Sequence, residues 1–240
     1  MMLLRTKGLV LHTTLHGETS LIAKVFTREL GVRSYMVKGV RSMRSRNKQN
    51  MMQPLSYLDM VVYDRPRDIN FVKEMQPAHH WQSLDIHPIK TTLRFFASEA
   101  LYKCLREDEA VPATFDYVVE TLQQLDDDVL LPAAFPIAFL LGLSHHLGIE
   151  PMDNYTPAER FFNMQEGCFQ QRSNLIPQWD SVPSELLHNY LVAIHTGTPP
   201  PIASWTDRRS LLSGLLAYYE VHLSEFRNFK SHEILHGVFS

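Results

Sequence analysis

Residues 20–38 read SLIAKVFTRELGVRSYMVK, and this stretch decides the class of the fold. Ser20–Thr27 is dense in β-formers, Leu30 and Gly31 turn the chain, and residues 32–38 (VRSYMVK) resume an extended pattern. Two short runs of this kind joined by a turn predict neighbouring strands. Upstream, residues 7–13 (KGLVLHT) predict another strand, followed by a turn at His16 and Gly17. Downstream, a polar segment over residues 39–50 leads to residues 55–63 (LSYLDMVVY). There Leu58, Met60 and Val62 share one face by the period of two. A turn over residues 64–68, with Pro66, precedes a last strand expected at residues 69–74. Five short strands with one longer internal loop suit a small, partly open barrel such as the OB-fold. Other five-stranded β-modules fit the same pattern.

After Pro77 the period becomes helical. In residues 90–106, Leu93, Ala97, Ala100 and Cys104 form one apolar stripe. Further helices are expected at residues 112–125, 130–147, 183–195 and 207–226, the last with Leu212, Leu215, Leu216, Tyr219 and Leu223 on one side. Residues 160–172 (RFFNMQEGCFQQR), turning at Glu166 and Gly167, predict a short inserted hairpin. The fold class is therefore α+β. An N-terminal five-stranded OB-type β-barrel (residues 1–77) is followed by an α-helical domain (residues 78–240) with a hairpin at about residues 159–173. The most apolar stretch, residues 129–149, is broken by Pro132, Pro136, Gly142, His145 and His146, so it predicts a buried helix rather than a membrane span. The opening MMLLRTKG is too short an apolar run for a signal peptide. Cys104 and Cys168 form no ligand pair, which fits a reducing cytoplasm.

The net charge of −3 hides an asymmetry: residues 1–80 carry +7 and residues 81–240 carry −10. A basic head of this kind suggests a polyanionic partner. Its densest part is residues 32–48 (VRSYMVKGVRSMRSRNK), where Arg33, Lys38, Arg41, Arg44, Arg46 and Lys48 stand without one acidic residue. Serine, asparagine and glycine between the charges predict a loop. Such a loop can neutralise phosphates and release their counterions. Tyr35, Phe26 and Tyr57 are nearby candidates for stacking on unpaired bases. Nothing nominates an enzyme. No HExxH, paired-carboxylate metal spacing or Gly-rich phosphate loop is present. The adjacent pairs His79/His80 and His145/His146 diverge on any helix. Cys104, within the apolar stripe, reads as an inert buried thiol. Asp126, Asp127 and Asp128 read as capping charge for the helix that follows. The acidic helical part would repel DNA and is left for protein partners.

Several ordered motifs add a resemblance. Gly8, Leu9, Val10 and Leu11, then Gly17, Glu18, Thr19 and Ser20, then residues 26–31 (FTRELG) are similar to the opening of the RecO family of DNA-repair proteins. Residues 38–45 (KGVRSMRS) resemble that family's lysine-glycine-x-arginine loop, and Gln53, Pro54 and Leu55 its Gln-Pro before the fourth strand. The resemblance implies a non-enzymatic recombination mediator that binds single- and double-stranded DNA, anneals complementary strands and works with RecR. It would thereby let RecA replace single-strand-binding protein. Matched residue by residue, Lys38, Arg41 and Arg44 are expected DNA contacts, with Arg33, Arg46 and Lys48 added on charge and proximity. The acidic, aromatic-ended tail of single-strand-binding protein would need cations beside an apolar slot. Lys90 with Arg94, and Arg208 with Arg209, are the two clusters on offer. Many relatives carry a four-cysteine zinc site in the hairpin segment. Here only Cys168 is present and a position such as Phe162 cannot ligate. A metal-free hairpin packed on Phe161, Phe162, Met164 and Phe169, and no cofactor, are expected. A generic OB-fold RNA-binding or translation-associated factor, and a protein-interaction scaffold, are the competing readings.

Overall fold

In the computed structural model, which describes residues 2–40, 46–64, 69–107, 109–172 and 178–239, the N-terminal strands wrap into a barrel. β1 (Met2–His16) pairs antiparallel with β2 (Ser20–Thr27), which pairs in turn with β3 (Gly31–Val37). A short helix, α1 (Arg46–Asn50), leads to β4 (Tyr57–Asp64), which lies along the other edge of β1. β5 (Asn70–Pro77) pairs antiparallel with β4 and parallel with β3, giving the closed order β1-β2-β3-β5-β4. A partly open barrel was expected. Closure rests on a short seam, Tyr35 opposite Asn70 and Met36 opposite Phe71. Inward-facing Val10, Ala23, Val25, Tyr35, Val37, Leu58, Met60 and Val62 form the core, as the period of two in β4 predicts.

The motifs that carry the resemblance are largely packing devices. A Cβ on Gly8 would meet Val25 Cγ1 at 2.7 Å, so β1 can cross the core there only as glycine. Gly31 has φ +70°, which favours glycine. The Thr27 hydroxyl donates to the Gly31 carbonyl at 2.7 Å and accepts the Leu30 amide at 3.2 Å, bracing the same turn. The β1 bulge between Val10 and His12 frees the Leu11 carbonyl, which accepts from Ser98 Oγ at 2.7 Å. Leu55, buried at φ +54°, donates its amide to Val10 at 2.6 Å and accepts the Trp81 indole N–H at 3.0 Å.

The chain divides into two compact units, Met1–Glu120 and Thr121–Ser240, with the boundary inside α3 (Pro112–Asp126). In the first unit, α2 (Pro88–Cys104) buries Leu93, Phe96, Ala97, Ala100 and Leu101. In the second, α4 (Phe135–His146) is buried nearly all round. It starts five residues later than expected because Pro136 is accommodated in its first turn. β6 (Phe161–Asn163) and β7 (Cys168–Gln170) form the inserted hairpin, followed by α5 (Ser181–Thr196), α6 (Trp205–His222) and an unforeseen α7 (Ser231–Phe239). Asp126–Asp128 close α3 instead of capping the next helix. Asp128 takes φ +58° and the Val129 and Leu130 amides fold back onto the Gln124 carbonyl, a helix-terminating arrangement. No helix of the described residues is long and apolar enough to cross a membrane.

Candidate nucleic-acid interface

Strand parity decides which side chains the barrel offers outward. Across β3, β5 and β4 the residues in register are Met36, Phe71 and Tyr63. Their neighbours Tyr35 and Val62 are buried, so this row faces out. Lys38, just past the end of β3, and Lys73, which the β4–β5 register skips between Val72 and Glu74, are exposed and line one groove with this row. Lys38 Nζ lies 5.4 Å from the Phe71 ring centroid, within cation–π range. Exposed Lys48 on α1 completes the surround of a groove of about 660 Å³, which Glu74 also lines. Glu74 reaches Lys73 at 3.6 Å between two exposed side chains, a pair that screening makes weak. An open aromatic floor edged by three lysines offers stacking faces and phosphate partners together.

Two of the three expected stacking faces are not available. Tyr35 and Phe26 are wholly buried, and Tyr57 is half-buried, 6.4 Å from the Trp81 ring. Phe71 and Tyr63, not anticipated, take their place. Of the expected DNA contacts, Lys38 and Lys48 meet at the groove. Arg33 is mostly buried with its guanidinium 3.9 Å from Asp64. Arg46 opens α1, while Arg41 and Arg44 lie outside the described residues. The expected loop over residues 46–50 is helical because Met51, Met52, Gln53 and Ser56 take up its carbonyls and Met52 is buried. Arg28 turns away to Asp116, both contacts 2.8 Å.

The expected surface cations of the first long helix are not on the surface. Lys90 is 2% exposed and donates to Ser83 Oγ at 2.7 Å. Arg94 is 4% exposed, donates to the Pro54 carbonyl from Nε at 2.9 Å and Nη2 at 2.5 Å, and ion-pairs with Asp85. Long side chains beside an apolar stripe have been drawn inward to satisfy carbonyl and hydroxyl groups that the stripe does not reveal. Arg208 is half-buried and donates to the Ala203 carbonyl, whereas Arg209 is exposed.

The hairpin packs as expected on Phe161, Phe162 and Phe169, with Phe162 centred 5.3 Å from Phe169 and 4.7 Å from Trp179. Its residues do not fit a structural zinc. Cys168 is the lone thiol there, and burial pushes its pKa up, away from the thiolate a metal needs. Among the described residues no cluster of three His, Cys, Asp or Glu is placed to hold a metal ion. His145 and His195 instead hold the two oxygens of Glu150, at 2.6 and 2.9 Å. Burial would raise the Glu150 pKa, but these two hydrogen bonds prevail and lower it.

Comparison with known proteins points one way. The family model for the recombination protein O N terminal matches residues 1–81, and that for the recombination protein O C terminal matches residues 88–154. The chain is 32% identical to the DNA repair protein RecO of Christiangramia forsetii, over 99% of this chain and 100% of that protein. It is 30% identical to the DNA repair protein RecO of Phocaeicola vulgatus, over the full length of both. Identity to the DNA repair protein RecO of Flavobacterium psychrophilum is 32%, again over the full length of both.

Proposed function

The chain belongs to the RecO family of DNA repair proteins, and from that premise we propose that it is a DNA-binding recombination mediator with no reaction of its own. It holds single strands, anneals complementary ones and assists the loading of RecA onto DNA coated by single-strand-binding protein. The observation that carries this reading is the outward row of Met36, Phe71 and Tyr63 edged by Lys38, Lys48 and Lys73. Phosphates on the lysines and bases on the rings would leave base edges free to pair. Neutralised phosphates would let a second strand approach. Arg41, Arg44 and Arg46 are further phosphate contacts of this reading, on charge alone. Arg33, mostly buried beside Asp64, supports the field rather than touching the strand.

RecR and the acidic tail of single-strand-binding protein are the protein partners of this reading, in the cytoplasm. The tail docks at Arg208 and Arg209, since Lys90 and Arg94 are spent inside the fold. The test is strand annealing followed by fluorescence energy transfer, on complementary oligonucleotides naked and coated with single-strand-binding protein. Acceleration on both, with DNA outcompeting structured RNA, is expected. No acceleration, or preference for structured RNA, would favour the RNA-binding reading instead.

A further inference from the structure

Beside the groove lies a second depression of about 470 Å³ with a different chemistry. The two share Met75, and α1 serves both: Lys48 faces the groove, while Asn47 and Asn50 line the second cavity. Its walls are aromatic and apolar. Trp81, 5% exposed, is fixed by its indole hydrogen bond to the Leu55 carbonyl. Tyr57 lies nearly parallel to it, at 23° between planes. His79 meets the Trp81 ring edge-on with centroids 4.8 Å apart, and its buried Nε2 has no hydrogen-bond partner among the described residues. A buried ring nitrogen without a partner is costly, and the residue that carries it lines this cavity.

Charge restricts the occupant. Among the described lining residues, neither lysine nor arginine is present, and the one carboxylate, Asp85, is ion-paired with Arg94. A phosphate or an acidic peptide would meet no cation among the described lining residues, and the one carboxylate is already engaged. A flat group with apolar faces and polar edges fits: aromatic walls for the faces, and the Asn47, Asn50 and Gln76 amides for the edges.

We infer that this cavity takes one unstacked nucleobase of a single strand whose phosphates lie on Lys38, Lys48 and Lys73, an inference that rests on the groove reading above. A base inside a duplex has its edge engaged and cannot enter. The cavity therefore makes the barrel prefer single strands to duplexes of the same charge.

The experiment uses the full chain with two single-stranded probes of equal length, one with thymine bases and one abasic throughout. The variant Asn47→Trp fills the cavity mouth from an exposed helical position and leaves the aromatic row of the groove untouched. It should bind the thymine strand about tenfold more weakly than the parent, a base-stacking loss, and the abasic strand as well as the parent does. Unchanged thymine binding, or equal weakening on both probes, overturns the cavity. The triple variant Lys38/Lys48/Lys73→Ala should weaken both probes. If it binds both as the parent does, the groove reading itself fails, a separate result. A second measurement needs no substitution: photocrosslinking from a 4-thiothymine strand to the parent protein, followed by peptide mapping. Adducts on Trp81, Tyr57 or His79 support the cavity, and adducts confined to Phe71 and Tyr63 refute it.

Discussion

Replacing Arg94 by methionine tests whether the Gln53-Pro54-Leu55 motif is held from behind by a buried guanidinium. Methionine keeps most of the apolar stem, so the change reports on the polar head rather than on a void. Arg94 is 4% exposed and gives the Pro54 carbonyl two donors, at 2.9 and 2.5 Å. Stranding a buried acceptor costs about 1–3 kcal/mol. The ion pair with Asp85 adds less than about 1 kcal/mol, because the Asp85 side chain is 50% exposed and screened. The expected loss is about 2–3 kcal/mol, which lowers a melting midpoint by about 4–12 °C for a chain of this size. Calorimetry should show it in the transition that includes Met1–Glu120. Arg94→Lys, which keeps charge but lacks the planar fork, should recover only part of the loss. A midpoint within about 1 °C of the parent would refute the reasoning and return Arg94 to the list of candidate binding residues.

Three further outcomes follow from particular contacts. Changing Arg41, Arg44 and Arg46 together to alanine should weaken DNA binding and flatten its salt dependence by about 0.7–0.9 in log–log slope per lost phosphate contact; an unchanged slope would remove them from the interface. Asp59 is held at a pKa of about 2 by the Arg5 hydrogen bond, against a burial effect that would raise it. A depressed carboxylate stabilises the fold above its unfolded value near pH 4 and loses that contribution as pH falls toward 2. Urea unfolding of the parent and Asp59→Asn should therefore differ by about 1 kcal/mol at pH 6, allowing for screening at exposed Arg5, and converge near pH 2; a pH-independent difference would contradict the assignment. Calorimetry with the tail peptide of single-strand-binding protein should lose its signal in Arg208/Arg209→Ala, and parent-like binding would place the site elsewhere.

The sequence carried the barrel well because its strands alternate over short distances: β2 occupies Ser20–Thr27, the residues read as a strand from their composition. What it could not carry was parity. Tyr35 and Met36 are adjacent, and only the pairing of β3 with β5 puts the tyrosine inside and the methionine beside Phe71. The groove was therefore partly legible, Lys38 and Lys48 from charge, Lys73 and the floor not at all. Burial of Lys90 and Arg94 escaped for a related reason. A helical stripe shows which face is apolar, but not that Ser83 and Pro54 would come to meet two cations at its margin. The run Asp126–Asp128 suits the start of a helix, yet the left-handed turn at Asp128 makes it the end of one.

The central claim is that nucleic acid lies across the outer face of β3, β5 and β4. Its most direct measurement is the salt dependence of single-strand binding by the parent and by Lys38/Lys48/Lys73→Ala, with both melting curves recorded alongside. All three lysines are exposed, so the melting midpoints should coincide to within what surface substitutions cause. The log–log slope should fall by about 2, at roughly 0.7 per single-strand phosphate contact. An unchanged affinity and slope in a variant that melts like the parent would contradict the account.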